Sequence, residues 1–167
     1  MPATGRIPLT REARAAGRGG AEKPAAETAR LWAEVLSEVP LFAGVPARHV
    51  RKIASLGHVA RFDPGAPIVN VGDPGEAFYV ILNGRAKVRR GRGRAPVELG
   101  PGAYFGEMAL VDGAPRSATI VAETETACLV LARKPFVKIL ENEPAVALRL
   151  FRTLAGRVRE LEASASD

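Results

Sequence analysis

Cysteine occurs once in the 167 residues, tryptophan once and histidine twice, and the aromatic residues together make up only 5% of the chain. Each scarcity removes a class of protein. A lone cysteine cannot build a disulfide framework, and Cys128 sits in the apolar run Ala127–Leu131. It reads as a small buried hydrophobe of a reducing compartment, so a cytoplasmic protein is expected. His49 and His58 have no cysteine or carboxylate at ligand spacing around them, and no metal site is expected. No apolar stretch approaches the ~20 residues that span a bilayer, and the first residues hold no hydrophobic signal core; no membrane insertion is expected. The chain also lacks the histidine and aspartate contexts of a hydrolytic triad, so it does not read as an enzyme.

What is present is basic. The net charge is +6, and the cations are grouped: Arg6, Arg11, Arg14, Arg18 and Lys23 near the start, Arg89, Arg90, Arg92 and Arg94 in the middle, and a third group near the end. Grouped cations are weak evidence for an anionic partner, because a solvated surface is the more ordinary account of such runs. Nucleic-acid binding would ask for aromatic side chains interleaved with the cations to stack on bases, and these runs contain none. A nucleic-acid-binding protein acting through its basic tail is the competing class of function.

Residues 1–24 are rich in Gly, Ala, Pro and Arg without apolar periodicity, which predicts a disordered basic tail before a domain over residues 25–163 and a short flexible end over 164–167. The spacing of Leu31, Val35, Leu36 and Val39 predicts a helix from Ala25 that Pro40 closes. A second helix is predicted from Pro46 as its first residue, through Val50, Ile53 and Leu56, to Gly57. From His58 the texture changes to short β-branched and aromatic runs punctuated by Pro and Gly, the pattern of an antiparallel jelly roll or barrel. Asp63-Pro64-Gly65 and Asp73-Pro74-Gly75 both suit type II turns, and Asn83-Gly84 predicts a hairpin between Phe78–Leu82 and Ala86–Arg90. Two more helices are predicted after Ala132, over Pro135–Leu140 and Ala145–Leu161. In the last of these Ala147, Phe151, Leu154, Val158 and Leu161 form one apolar seam. That seam must cover something: the barrel, a ligand beneath a lid, or a second copy of the chain in a homodimer.

The chemistry concentrates in Gly102–Thr119. The spacing of Gly100, Gly102 and Gly106 misses the dinucleotide fingerprint by one residue, and no P-loop lysine follows. The combination of glycines, one acid, a short apolar helix and an arginine is more telling. A helix starting near Gly106 would turn unsatisfied N–H groups toward an anion. Arg116 can add a permanently charged bidentate partner for phosphate oxygens, and the Ser117 hydroxyl can complete the shell. Glu107 would be repelled by that phosphate, so its useful place is further along the ligand, on a ribose hydroxyl.

The segment Phe105-Gly106-Glu107-Met108-Ala109-Leu110 with Pro115-Arg116-Ser117-Ala118-Thr119 resembles the phosphate-binding cassette of the cyclic-nucleotide-binding domain family. The likeness extends from about Val39 to Leu161, including Gly72-Asp73-Pro74-Gly75, Phe78-Tyr79-Val80-Ile81 and Asn83-Gly84. It implies a mostly β fold with flanking helices: a jelly roll preceded by N-terminal helices and followed by a C-terminal lid helix. It also implies that Glu107 binds the ribose 2′-hydroxyl, Arg116 the cyclic phosphate and Ser117 the phosphate or a purine edge. Gly106, Met108, Ala109 and Ala118 complete the ligand site, and Arg157, Val158 or Leu161 caps the base. The Arg116-Ser117 pair resembles that of members responding to cAMP, with cGMP the second choice. The implied role is a receptor that binds its nucleotide without hydrolysing it, needs no cofactor, and acts on an effector protein or a further domain. The alternative is a degenerate domain in which Glu107 and Arg116 simply pair with each other.

Overall fold

The structure, a computed structural model, describes residues 26–166 other than residue 92; the basic tail expected over residues 1–24 lies outside the described residues. Helix α1 (Ala26–Ser37) buries Trp32, Ala33 and Leu36, and a short 3-10 turn (Pro40–Phe42) buries Leu41 and Phe42. Helix α2 (Ala47–Leu56) buries Val50, Ile53 and Ala54 against them. Pro46 caps α2 instead of beginning it: its ψ of 139° is extended, so the first helical residue is Ala47.

Eight strands follow: β1 (His58–Phe62), β2 (Pro67–Val69), β3 (Ala77–Asn83), β4 (Ala86–Arg89), β5 (Val97–Leu99), β6 (Tyr104–Phe105), β7 (Thr119–Ala122) and β8 (Thr126–Ala132). They form two antiparallel sheets ordered β1-β8-β3-β6 and β2-β7-β4-β5, a jelly-roll-like sandwich as the turn spacing implied. Between β6 and β7 lies helix α3 (Glu107–Asp112), and after β8 come α4 (Arg133–Asn142) and α5 (Pro144–Ala165).

Strands β3 and β8 are apolar at nearly every position because both their faces are covered. Phe78, Val80, Leu82, Ala127, Leu129 and Leu131 pack with the helices, while Ile81, Cys128 and Val130 pack toward the second sheet. The period-2 alternation of a strand sends neighbouring residues into separate cores, so apart from Tyr79 the polar residues of these strands, Asn83 and Thr126, stand at their ends. Phe78 stacks on Phe136 of α4 with ring centroids 4.7 Å apart. That contact ties the central sheet to the helical layer.

Three turn expectations separate here. Asp63–Ala66 is the predicted turn: the Ala66 N–H donates to Asp63 O at 3.0 Å and Gly65 has φ +84°. Asp73-Pro74-Gly75 is not a type II turn, since the left-handed glycine is Gly72 (φ +88°) and the Asp73 N–H closes the bend on Asn70 O at 3.2 Å. Asn83-Gly84 is not a hairpin either. Its turn chemistry is present, with Gly84 at φ +86°, but β3 and β4 belong to different sheets and do not pair. The chain crosses the sandwich there, so close to β8 that a Cβ on Gly84 would lie 2.3 Å from Glu125 O.

Helix α5 docks through Val146 and Leu150, both buried, and the half-buried Leu154, spaced four apart. The predicted seam is rotated from this stripe. Phe151, Val158 and Leu161 remain exposed, so the seam does not cover the sandwich; of its members only Leu154 packs against the helical core, as a half-buried residue. The helix runs to Ala165, past the Leu161 where the apolar spacing stops. Among the described residues, no helix is long and apolar enough to cross a membrane.

Candidate functional site

Strand β6 ends at Phe105, whose ring stacks on Tyr79 with centroids 5.0 Å apart. The chain then turns at Gly106, with φ +93°, into α3. Only glycine fits: a Cβ on Gly106 would stand 2.6 Å from Arg116 Nη1 and 2.7 Å from Ala77 O. Gly113, at φ +71°, ends α3 by donating to Ala109 O at 3.0 Å, and Asp112 accepts from the Ala114 N–H at 2.9 Å. The segment returning from α3 toward β7 is stitched to the β2–β3 loop: the Arg116 N–H donates to Asp73 O at 2.8 Å and the Gly72 N–H to Arg116 O at 2.9 Å.

The Arg116 side chain is therefore aimed by its own backbone. It is 7% exposed, with Nη1 donating to Gly106 O at 3.1 Å and Nη2 to Ala77 O at 2.7 Å, and it lies 5.7 Å from the Tyr79 ring centroid. Burial lowers its pKa, against the opposing pull of Tyr79, Glu107 and Asp73. No carboxylate of the described residues is within ion-pair distance of it. Two of the five guanidinium N–H groups are engaged, which leaves three for an incoming acceptor. Tyr79 in turn has its phenol pKa raised by burial.

Glu107, the first residue of α3, is 2% exposed, and its counter-ion comes from elsewhere: Arg157 Nη1 of α5 donates to Glu107 Oε1 at 2.5 Å. One turn earlier on α5, Tyr104 Oη donates to Thr153 Oγ1 at 3.4 Å. The far side of α3 is clamped by Arg133, whose Nη2 donates to Gly75 O at 2.7 Å and reaches Ala109 O at 3.5 Å. Ala109 is buried directly under Gly75, where a Cβ would fall 2.1 Å from its own. Gly75 is thus a glycine for closeness and not for turn geometry.

The fold brings Gly106, Glu107, Arg116 and Arg157 together. Ser117 is exposed beside Arg116, Ala118 is half-buried, and Met108 is exposed on α3. Val158 and Leu161 stand exposed on α5; Leu161 follows Arg157 by four residues and so shares its face of the helix. Sequence reading missed Tyr79 and Arg133. Tyr79 looked like ordinary strand apolarity, and Arg133, directly after an apolar strand, was the one signal that a cation meets the cassette there.

Among the described residues, Arg116 is thus a buried guanidinium with three N–H groups that meet no acceptor and with no carboxylate at ion-pair distance, beside a short helix at the edge of a β sandwich. The chain belongs to the cyclic nucleotide-binding domain family, whose model matches residues 59–143. It is 40% identical over 138 residues to a cyclic nucleotide-gated potassium channel of Mesorhizobium japonicum, covering 81% of this chain and 37% of the channel. It is 36% identical over 127 residues to the cyclic AMP receptor protein of Thermus thermophilus, covering 74% of this chain and 59% of that protein. Its structure is similar to the regulatory domain of Toxoplasma gondii PKA in complex with cAMP, with a TM-score of 0.68, 28% identity, and 78% and 51% of the two chains covered. The chain thus spans less than two thirds of the length of these curated relatives.

Proposed function

We propose that this domain is a cytoplasmic receptor for a cyclic nucleotide, with cAMP preferred to cGMP, that binds without hydrolysis and signals through movement of α5. The observation that carries the reading is Arg116: a cation held at 7% exposure by two carbonyls, with no carboxylate of the described residues paired to it. A buried charge without a partner is costly, so a site built this way is completed by an anion. The cyclic phosphate takes the three free N–H groups of Arg116, with the exposed Ser117 beside it. Glu107 accepts the ribose 2′-hydroxyl. Leu161, on the face of α5 that carries Arg157, covers the base when the helix closes, with Val158 next to it.

The preference for cAMP is supported by the Arg116-Ser117 pair, which resembles that of members responding to cAMP, and by relatives named for cyclic AMP or solved with it. A degenerate domain would have Glu107 and Arg116 neutralise each other, and here Glu107 is paired with Arg157 instead. Transmission through α5, whose Phe151, Val158 and Leu161 are exposed, would pass the signal to an effector protein or a further domain. Calorimetric titration with cAMP, cGMP and a cyclic dinucleotide tests the reading. Tightest binding of cAMP is expected, with no AMP detected by chromatography after long incubation. Binding of none of the three would overturn the assignment, and appearance of AMP would overturn the non-hydrolytic role.

A further inference from the structure

Helix α2 carries no acid. Its solvent face, opposite the buried Val50, Ile53 and Ala54, presents Arg48, Arg51 and Lys52, so its first turn holds a cation where the helix dipole favours an acid. Helix α4 repeats the arrangement: Phe136 and Ile139 are buried, and Lys134 and Lys138 stand exposed on the opposite side. Residues three or four apart on one helix face are neighbours, so these like charges disfavour the helices that carry them. No carboxylate of the described residues is within ion-pair distance of any of these cations. The fold then joins the two faces. His49 at the start of α2 pairs with Glu143, which caps the end of α4, while at the other end His58, just past α2, sits opposite Val130 of β8, just before α4 begins. The helices therefore lie antiparallel in one layer, and the only acid within either of them is Glu141.

We propose that this outer face of α2 and α4 is a docking surface for an anionic lipid bilayer, on which the domain is adsorbed without insertion. Charge complementarity calls for an anionic partner, and shape selects among such partners. Two helices side by side are about 20 Å across, whereas the DNA major groove, about 12 Å wide, takes one. A protein partner would be anchored by large apolar or aromatic side chains in a pocket. Here Val50, Ile53, Phe136 and Ile139 are turned into the core, and the face shows only Leu56 and Val137, 44% and 36% exposed. A charged bilayer surface is broad and laterally fluid and needs neither groove nor pocket; each Lys or Arg brought near it adds to the attraction. Because the apolar faces of both helices already pack in the core, the contact is electrostatic and reversible. The inference does not depend on the nucleotide reading.

Co-sedimentation of the full chain with vesicles of phosphatidylcholine alone, or of phosphatidylcholine and phosphatidylserine mixed, tests this. The unaltered chain is expected to bind the anionic vesicles, more weakly as salt is raised, and not the neutral ones. Each neutralised cation should lower the affinity about fivefold, so Arg48→Gln/Arg51→Gln/Lys52→Gln should bind about a hundredfold more weakly and Lys134→Gln/Lys138→Gln about twentyfold. All these positions are exposed and glutamine is a good helix former, so both variants should keep the unaltered melting temperature, and variants on two separate helices keep the test open if one misfolds. The matched control is Arg89→Gln/Arg90→Gln/Arg94→Gln, which removes exposed cations at the β4–β5 turn and should weaken binding less than about threefold. Failure of the unaltered chain to bind anionic vesicles would overturn the inference. So would a loss in the control as large as in the α2 variant, the mark of net charge alone, or no loss in either helix variant, which would place the binding on other cations. Binding of duplex DNA but not of vesicles, abolished by the α2 substitutions, would give the face to nucleic acid instead.

Discussion

Glu107 and Arg116 share one site without pairing: the acid is bound by Arg157 of α5, and the cation is bound by two main-chain carbonyls. Two opposite charges that close in sequence would ordinarily neutralise each other in a buried setting. Here each is fixed by a third party, so both keep unused hydrogen-bonding capacity for a ligand that carries a negative group at one end and hydroxyls at the other.

Arg116→Ala should weaken cyclic nucleotide binding by about 2–5 kcal/mol, since the phosphate loses its buried partner. Arg116→Lys should fall between, because a single ammonium cannot span Gly106 O and Ala77 O and still present a fork of donors. Calorimetric titration measures both. An Arg116→Ala affinity equal to that of the unaltered chain would remove Arg116 from the site.

Gly75→Ala should disturb the cassette through overlap alone. Its Cβ would stand 2.1 Å from that of Ala109, so α3 or the β2–β3 loop must give way, at a cost of about 1–3 kcal/mol. Gly65→Ala is the comparison, since Gly65 has φ +84° but open space around it and lies in a turn outside the site. Both variants should melt earlier, and only Gly75→Ala should also lose nucleotide affinity. Equal affinities of the two would mean that α3 tolerates the displacement.

Burial pushes the Cys128 thiol from an ordinary 9.0 up to about 12. The folded chain therefore holds this proton to higher pH than the unfolded chain does. The stability linked to it is complete below about pH 9 and declines as pH rises from there toward 12, with a limiting slope of about 1.4 kcal/mol per pH unit. Denaturant unfolding over that range should show this component, and Cys128→Ala should lack it. At pH 8 the native thiol should resist an aromatic disulfide reagent that titrates it readily in denaturant; rapid modification of the native chain would contradict its burial.

Gly156 lies within α5, which runs unbroken across it, and a Cβ there would meet none of the described residues within 4 Å. Close packing against a neighbour among the described residues therefore does not account for the glycine. If it lets the helix bend as the lid closes, Gly156→Ala should stiffen the helix by about 1 kcal/mol and alter both nucleotide affinity and the change in hydrogen exchange of α5 on binding. Should both stay the same, the hinge role is wrong.

How much of this was legible beforehand depended on distance along the chain. The cassette was legible because it is local. Gly106, Glu107, Arg116 and Ser117 lie within a dozen residues, and glycine, acid and arginine in that order imply a helix start beside a cation whatever surrounds them. Helices α1, α2, α4 and α5 were legible from apolar spacing and prolines, and the sandwich from short strands between turns.

What tertiary structure alone decided lies wherever two distant segments meet. The dipeptide Asn83-Gly84 determined a tight turn, but which strands pair depends on the other sheet, and the chain crosses instead of folding back. Apolar spacing determined that α5 has a seam, while the angle at which it docks through Val146 and Leu150 left Phe151 and Val158 outside. Gly75 was read as a turn residue because its contact with Ala109 has no trace in local sequence. The same holds for the opening pair. Sequence by itself placed Glu107 and Arg116 in one segment, but their separation is a property of three-dimensional charge balance: a buried carboxylate takes the cation that the fold delivers to it, and the fold delivers Arg157.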